Sequence, residues 1–138
     1  MPNYHVRIAR PVSDLARAGA MYCKGLELEV LGSFENHNGF DGIFLGNVGM
    51  QYHLEFTSCR AHPVQPSPTQ EDLLILYIPD EENWNDACAN MLVAGFVETS
   101  PFNSYWSVNG RSFLDSDGYC TVLQRSQWVN RKLGLKTS

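Results

Sequence analysis

Four side chains in this sequence have the types and spacing to do chemistry together: His5, Arg7, His53 and Glu55. His53 and Glu55 stand two positions apart in the alternating stretch from Gln51 to Phe56, which reads as a β-strand. Both therefore project from one face, with Cα atoms roughly 7 Å apart. With His5 they supply two imidazoles and a carboxylate, the set used by non-haem iron and several zinc sites. The same residues have a metal-free use, with Glu55 as general base, His5 or His53 as partner acid, and Arg7 as a planar clamp for a substrate carboxylate or phosphate. They also have a structural use, in which Glu55 pairs with Arg7 or a histidine and His53 hydrogen-bonds nearby. The residue types alone leave all three open.

A second concentration of interest is Pro101 to Asn109, where Phe102, Tyr105 and Trp106 fall among small polar residues. It suits either a ligand-stacking loop or the anchoring of a sheet edge or dimer contact. Cys23, Cys59, Cys88 and Cys120 are scattered with no CxxC pair, so free structural thiols are expected. His37 and His62 fall in a turn and a linker and are assigned no chemistry. A net charge of -5 with no run of basic residues argues against nucleic acid as a partner. No apolar stretch approaches the ~20 residues of a membrane span, and Met1 to Arg10 has no signal-peptide pattern, so a cytoplasmic protein is expected.

The elements that would position these groups fall into two similar halves. Tyr4 to Arg10 alternates as a strand, Ser13 offers a helix N-cap and Gly25 a stop, and strands follow at Leu26 to Phe34, Phe40 to Leu45 and Gln51 to Phe56, turned by Asn38-Gly39 and Asn47 to Gly49. The proline-rich stretch 60–71 reads as a linker. Beyond it, Leu73 to Ile78 is an apolar strand, and Asp80 caps a helix whose buried stripe is Trp84, Ala87, Cys88, Met91 and Leu92, ended by Gly95. Strands at Phe96 to Thr99, Arg111 to Leu114 and Tyr119 to Gln124 complete the second set. The pairs Gly25 and Gly95, Asn38-Gly39 and Asn109-Gly110, and Asn47-Val48-Gly49 and Ser116-Asp117-Gly118 coincide. The expected fold is α+β: one domain of two tandem βαβββ modules (1–59 and 72–128, linker 60–71, tail 129–138) forming a curved mixed sheet with a concave cleft.

On strand alternation, the cleft face takes His5, Arg7 and Ala9, then Gln51, His53 and Glu55, and in the second module Leu73, Ile75, Tyr77, Cys120, Val122 and Gln124. One wall is polar and ionisable, the other apolar, which suits an aromatic or amphipathic ligand.

Four segments resemble the vicinal oxygen chelate superfamily of glyoxalases, bleomycin-resistance proteins and extradiol dioxygenases: His5-Val6-Arg7-Ile8 leading into Val12-Ser13-Asp14-Leu15, Tyr22 to Gly32, Tyr52 to Phe56, and Phe113 to Tyr119. The last looks like F-x-D-P-D-G-[NY] with Ser116 in place of proline. The resemblance implies metal positions at His5 and Glu55 in the first module, and at Leu73 and Val122 in the second, where neither side chain can bind a metal. It thus implies a small-molecule-binding or resistance-type protein without a complete metal site. Arg7, Gln51, Leu73, Ile75, Tyr77, Trp106, Cys120, Val122 and Gln124 would line the cleft, and Glu55 and His53 are the catalytic candidates. The alternative is a metal-dependent lyase, transferase or dioxygenase holding Zn, Ni, Mn or Fe on His5, Glu55 and His53. A homodimer is implied as well, with the tail's Arg131, Lys132 and Lys136 framing the partner subunit.

Overall fold

The computed structural model describes residues 2–134, so Lys136 lies outside them. The first module contains β1 (Val6–Pro11), α1 (Leu15–Leu26), β2 (Glu29–His37), β3 (Phe40–Gly46) and β4 (Tyr52–Cys59). The second contains β5 (Leu73–Tyr77), α2 (Glu81–Val93), β6 (Val97–Thr99), β7 (Gly110–Leu114) and β8 (Cys120–Gln124), with one 3-10 turn at Ser104–Ser107. Each makes a four-stranded sheet of the same topology, β1-β4-β3-β2 and β5-β8-β7-β6, in which the first strand pairs parallel to the last. The repetition of that uncommon mixed order is the structural mark of the tandem modules.

The sheets are joined along a seam without strand pairing. Arg10 at the end of β1 lines one hollow with Asp72, Leu73 and Tyr119 at the start of β5 and β8. At the other end, Tyr52 lines a hollow with Tyr77 and Ile78. The end of β1 thus lies near the start of β5. Beneath the sheets α1 packs on α2, and one core runs through both modules, from Tyr22, Leu45, Leu54 and Phe56 to Met91, Phe96, Phe113 and Leu123. Each such side chain contributes roughly 1.5–3 kcal/mol of burial. The opposite sheet faces are left for the cleft.

Local chemistry explains the helix ends. Asp80 caps α2 by accepting from the Asn83 amide, as the sequence predicts. At α1 the cap is Asp14, accepting from the Arg17 amide, rather than Ser13, because Ser13 gives both its amide and its hydroxyl to Asp117 of the other module. Gly25 is not a stop: α1 runs past it and turns at Glu27, which takes the left-handed conformation at φ 55. A Cβ at Gly25 would stand 2.9 Å from both Met91 Sδ and Phe96 Cε1, so this glycine lets the two modules approach. Asn38-Gly39 makes the expected turn, both residues at positive φ. Asn109-Gly110 is not its equivalent: Gly110 opens β7, and a side chain there would strike the Trp106 carbonyl.

The modules are latched by one carboxylate. Asp115 accepts from the Asp117 and Tyr119 amides, shaping the β7–β8 turn, and from the Tyr22 hydroxyl of α1 at 2.7 Å. Tyr119 returns the contact, donating to the Pro11 carbonyl.

Candidate functional site

The two halves of the cleft face differ in kind. In the first module β1 and β4 pair with Arg7 beside His53 and Ala9 beside Glu55, so alternation delivers these side chains to one face. Arg7 Nε donates to His53 Nε2 at 2.9 Å, and His53 Nδ1 lies 2.7 Å from Nε2 of His5, the residue just before β1. A guanidinium can only donate, so His53 Nε2 carries a lone pair and Nδ1 carries the proton, which it donates to His5. Burial first, then the charges of Arg7 and His5, lowers the His53 pKa against the opposing pull of Glu55. The imidazole is thus held neutral with both nitrogens engaged. Arg7 stands 3.8 Å from the Glu55 carboxylate and stacks over Phe44, 5.0 Å from the ring centroid. Phe34 extends this aromatic shelf, 5.6 Å from Phe44, lying over Gly42, where any side chain would displace it.

In the second module the inner faces of β5, β7 and β8 bring Leu73, Ser112, Leu114, Cys120 and Val122 to a hollow of about 160 Å³, which Phe102, Trp106 and Pro68 to Gln70 also line. Its lining includes no Asp, Glu, His, Lys or Arg. Asn103 fixes the wall by accepting from the Tyr105 amide while its carbonyl receives the Trp106 amide. The loop then presses on Gly110, which sets Trp106 over the sheet. Burial pushes the Cys120 thiol pKa up, against weaker downward pulls from a Phe113 backbone group and the Ser112 hydroxyl, so it stays protonated.

Of the residues picked out in the sequence, Leu73, Trp106, Cys120 and Val122 meet in this hollow, and His5, Arg7, His53 and Glu55 meet on the polar face. Others lie elsewhere. Gln51 is exposed and contributes its carbonyl to the Val6 amide. Ile75 is half-buried opposite Val122. Tyr77 packs on Trp128, their ring centroids 6.0 Å apart. Gln124 is buried beneath Gly110. Sequence reasoning passed over Phe34 and Phe44, although Phe44 sits opposite Glu55 in register, and over Ser112, which follows Arg111 in β7.

The donor set does not fit a metal centre. The second-module positions are Leu73 and Val122, which offer no ligand atom, and among the described residues no group of three or more His, Cys, Asp or Glu side chains is placed to hold an ion. On the polar face both His53 nitrogens are committed, and Arg7 puts a positive charge where a cation would approach. No helix of the described residues is long and apolar enough to cross a membrane.

Residues 6–57 match the family described as the YycE-like N-terminal domain, and residues 71–125 the YycE-like C-terminal domain. The uncharacterized protein YycE of Bacillus subtilis (strain 168) is 34% identical over 127 residues, 92% of this chain and 91% of that protein. A crystal structure of a Bacillus subtilis YycE, a protein of unknown function described as a candidate glyoxalase/fosfomycin resistance protein, matches with TM-score 0.85 over 93% of each chain at 34% identity. The fold alone is shared with Leishmania major glyoxalase I, at TM-score 0.69 and 18% identity over 91% of this chain and 88% of that one. It is shared too with an antibiotic-binding protein from a Streptomyces strain, at TM-score 0.60 and 21% identity over 90% and 95%. A tandem pair of βαβββ modules matched along both halves by one family's two domains identifies this chain as a member of the YycE-like family, with the fold of the vicinal oxygen chelate superfamily.

Proposed function

We propose that this protein binds a small, uncharged-to-amphipathic organic molecule without a metal, as a sequestering or resistance-type protein. The observation that carries the reading is the second-module hollow: apolar at Leu73, Val122 and Trp106, and lined by no formally charged side chain. Sites of this kind take apolar ligands and orient them with a few polar groups. The antibiotic-binding neighbour shares the fold and favours the same class of role. In this reading Arg7, His53 and Glu55 hold one another in place and offer a polar rim, rather than transferring protons. The protein acts as a homodimer in the cytoplasm, where its free cysteines suit a reducing environment.

Screening aromatic and amphipathic compounds by thermal shift tests the proposal, since a ligand bound only by the folded state raises Tm by mass action. A hit should lose its shift in Leu73→Glu and weaken in Trp106→Ala. If hits shift both variants as much as the parent, the hollow is not the site. Sedimentation then decides between dimer and monomer.

A further inference from the structure

Another hollow lies between the modules, where the end of α1 and one face of α2 meet the start of β4 and the end of β5. It shares no lining residue with the second-module hollow. Leu26, Met50, Leu76 and Ile78 give it an apolar lining, and Tyr52 and Tyr77 add two aromatic rings, the second steadied by Trp128. From α2 come Asn83, Asp86, Ala87 and Asn90, spaced i, i+3, i+4 and i+7, so they form one stripe. It is a different stripe from the one that sends Cys88 and Met91 into the core.

Every formal charge in this lining is negative: Glu27 and Asp86 are present, and no Lys, Arg or His. Neither carboxylate forms an ion pair among the described residues, and Lys24 in the last turn of α1 stays outside the lining. Glu27 is held at both ends, its carbonyl accepting from Asn47 Nδ2 at 3.1 Å and its Oε1 from Asn90 Nδ2 at 3.3 Å. Asp86 stands one turn before Asn90 on the same helix face, which sets both carboxylates in one part of the lining. Burial pushes the Tyr52 phenol pKa up, so its ring is neutral, and neutral phenol rings attract cations. The hollow is open to solvent. Charge and lining, rather than enclosure, therefore select what enters: an anion is repelled, and a neutral molecule gains the apolar contacts alone.

We infer that this inter-module hollow is a second binding site, for an amphipathic organic monocation whose ammonium group lies beside Glu27 and Asp86 and whose aryl or alkyl body lies on Tyr52, Leu76 and Tyr77. The inference is independent of the second-module hollow, with which this site has no residue in common. Benzylammonium, benzyl alcohol and phenylacetate are the probes, alike in ring and methylene and different in charge.

Titration of each into isotope-labelled protein, followed by amide chemical shifts, reads both affinity and place. Both carboxylates are exposed and each contributes modestly, so benzylammonium should bind about tenfold tighter than benzyl alcohol. Phenylacetate should fail to bind, and the shifts should fall at 25–27, 50–52, 76–78 and 83–90. In the double variant Glu27→Gln, Asp86→Asn, benzylammonium should drop to within about threefold of benzyl alcohol, while the alcohol keeps its parental affinity. Equal binding of cation and alcohol to the parent, a preference that survives in the double variant, or phenylacetate binding at these residues would overturn the charge argument. No binding, or shifts confined to 99–106 and 110–122, would overturn the hollow as the site. Movement of the 83–90 amides on deleting 131–138, with no probe added, would give the hollow to the chain's own Arg131 and Lys132 and overturn the free cation as its occupant.

Discussion

The latch between the modules makes a measurable prediction at Tyr22. Tyr22→Phe removes one oxygen from a side chain that is 0% exposed and keeps its ring, which meets Phe56 at 4.9 Å and Phe96 at 5.1 Å, edge to face. What is lost is the 2.7 Å hydrogen bond to Asp115. Burial, and then the Asp115 charge, pushes the phenol's pKa far above its ordinary value, so it is a donor at every accessible pH. Asp115 retains its two amide donors, so the variant should fold, with one charge-assisted bond fewer. Such bonds contribute about 1.5–3 kcal/mol. For a chain of 138 residues, about 2 kcal/mol corresponds to a Tm drop of about 7 °C. Urea unfolding followed by tryptophan fluorescence and circular dichroism should show a lower midpoint, an unchanged slope and coincident curves. Pairing the change with Asp115→Asn should cost less than the sum of the two singles. A loss below about 0.5 kcal/mol, or strict additivity in the double variant, would refute the latch.

Three further outcomes follow from other parts of the molecule. Arg7→Gln should raise the His53 pKa seen in an NMR titration. Because the folded-state pKa lies below the unfolded one, His53's contribution to stability is complete above about pH 6.5 and lost as pH falls toward the folded value, and the variant should lose less across that window. Gly95 has φ 101, and a Cβ placed on it would have nothing within 4 Å, so Gly95→Ala should cost about 1–2 kcal/mol from backbone conformation alone, whereas Gly25→Val should cost more through collision with Met91 and Phe96; equal losses in denaturant titrations would contradict this. Addition of Zn²⁺, Ni²⁺, Mn²⁺ or Fe²⁺ to chelator-treated protein should leave no stoichiometric ion by elemental analysis, and a tight ion that Glu55→Ala releases would restore the metal-dependent alternative.

Local rules made much of this molecule readable. The spacing of Trp84, Ala87, Cys88, Met91 and Leu92 identifies the buried stripe of α2 except at Leu92, which is exposed; Cys88 and Met91 lie at the core and the Trp84 indole donates to the Leu123 carbonyl. Alternation put His53 and Glu55 on one face. What escaped depended on distant partners. Ser13 and Asp14 are both good caps, and only Asp117, more than a hundred residues away, decides between them. Gly25 looks like a stop until Phe96 and Met91 are brought against it. β2 is displaced by three residues at each end from the Leu26 to Phe34 stretch, and its pairing with β3 shifts register twice, a bulged geometry that alternation does not reveal. The second-module hollow is partly legible in the sequence: Leu73, Trp106, Cys120 and Val122 stand out there, whereas Pro68 to Gln70, Ser112 and Leu114 join them only through the fold.

Tyr22 and Phe96 come from different halves and meet beside Gly25, which has no space for a side chain. A half-length chain would expose that contact to water, along with the floor of its own sheet. An ancestor carrying one copy could have buried it only against an identical molecule, at a cost that rises on dilution. Joining the two halves in one chain makes that encounter intramolecular. It also allows the halves to differ, one carrying ionisable groups and the other a greasy receptacle.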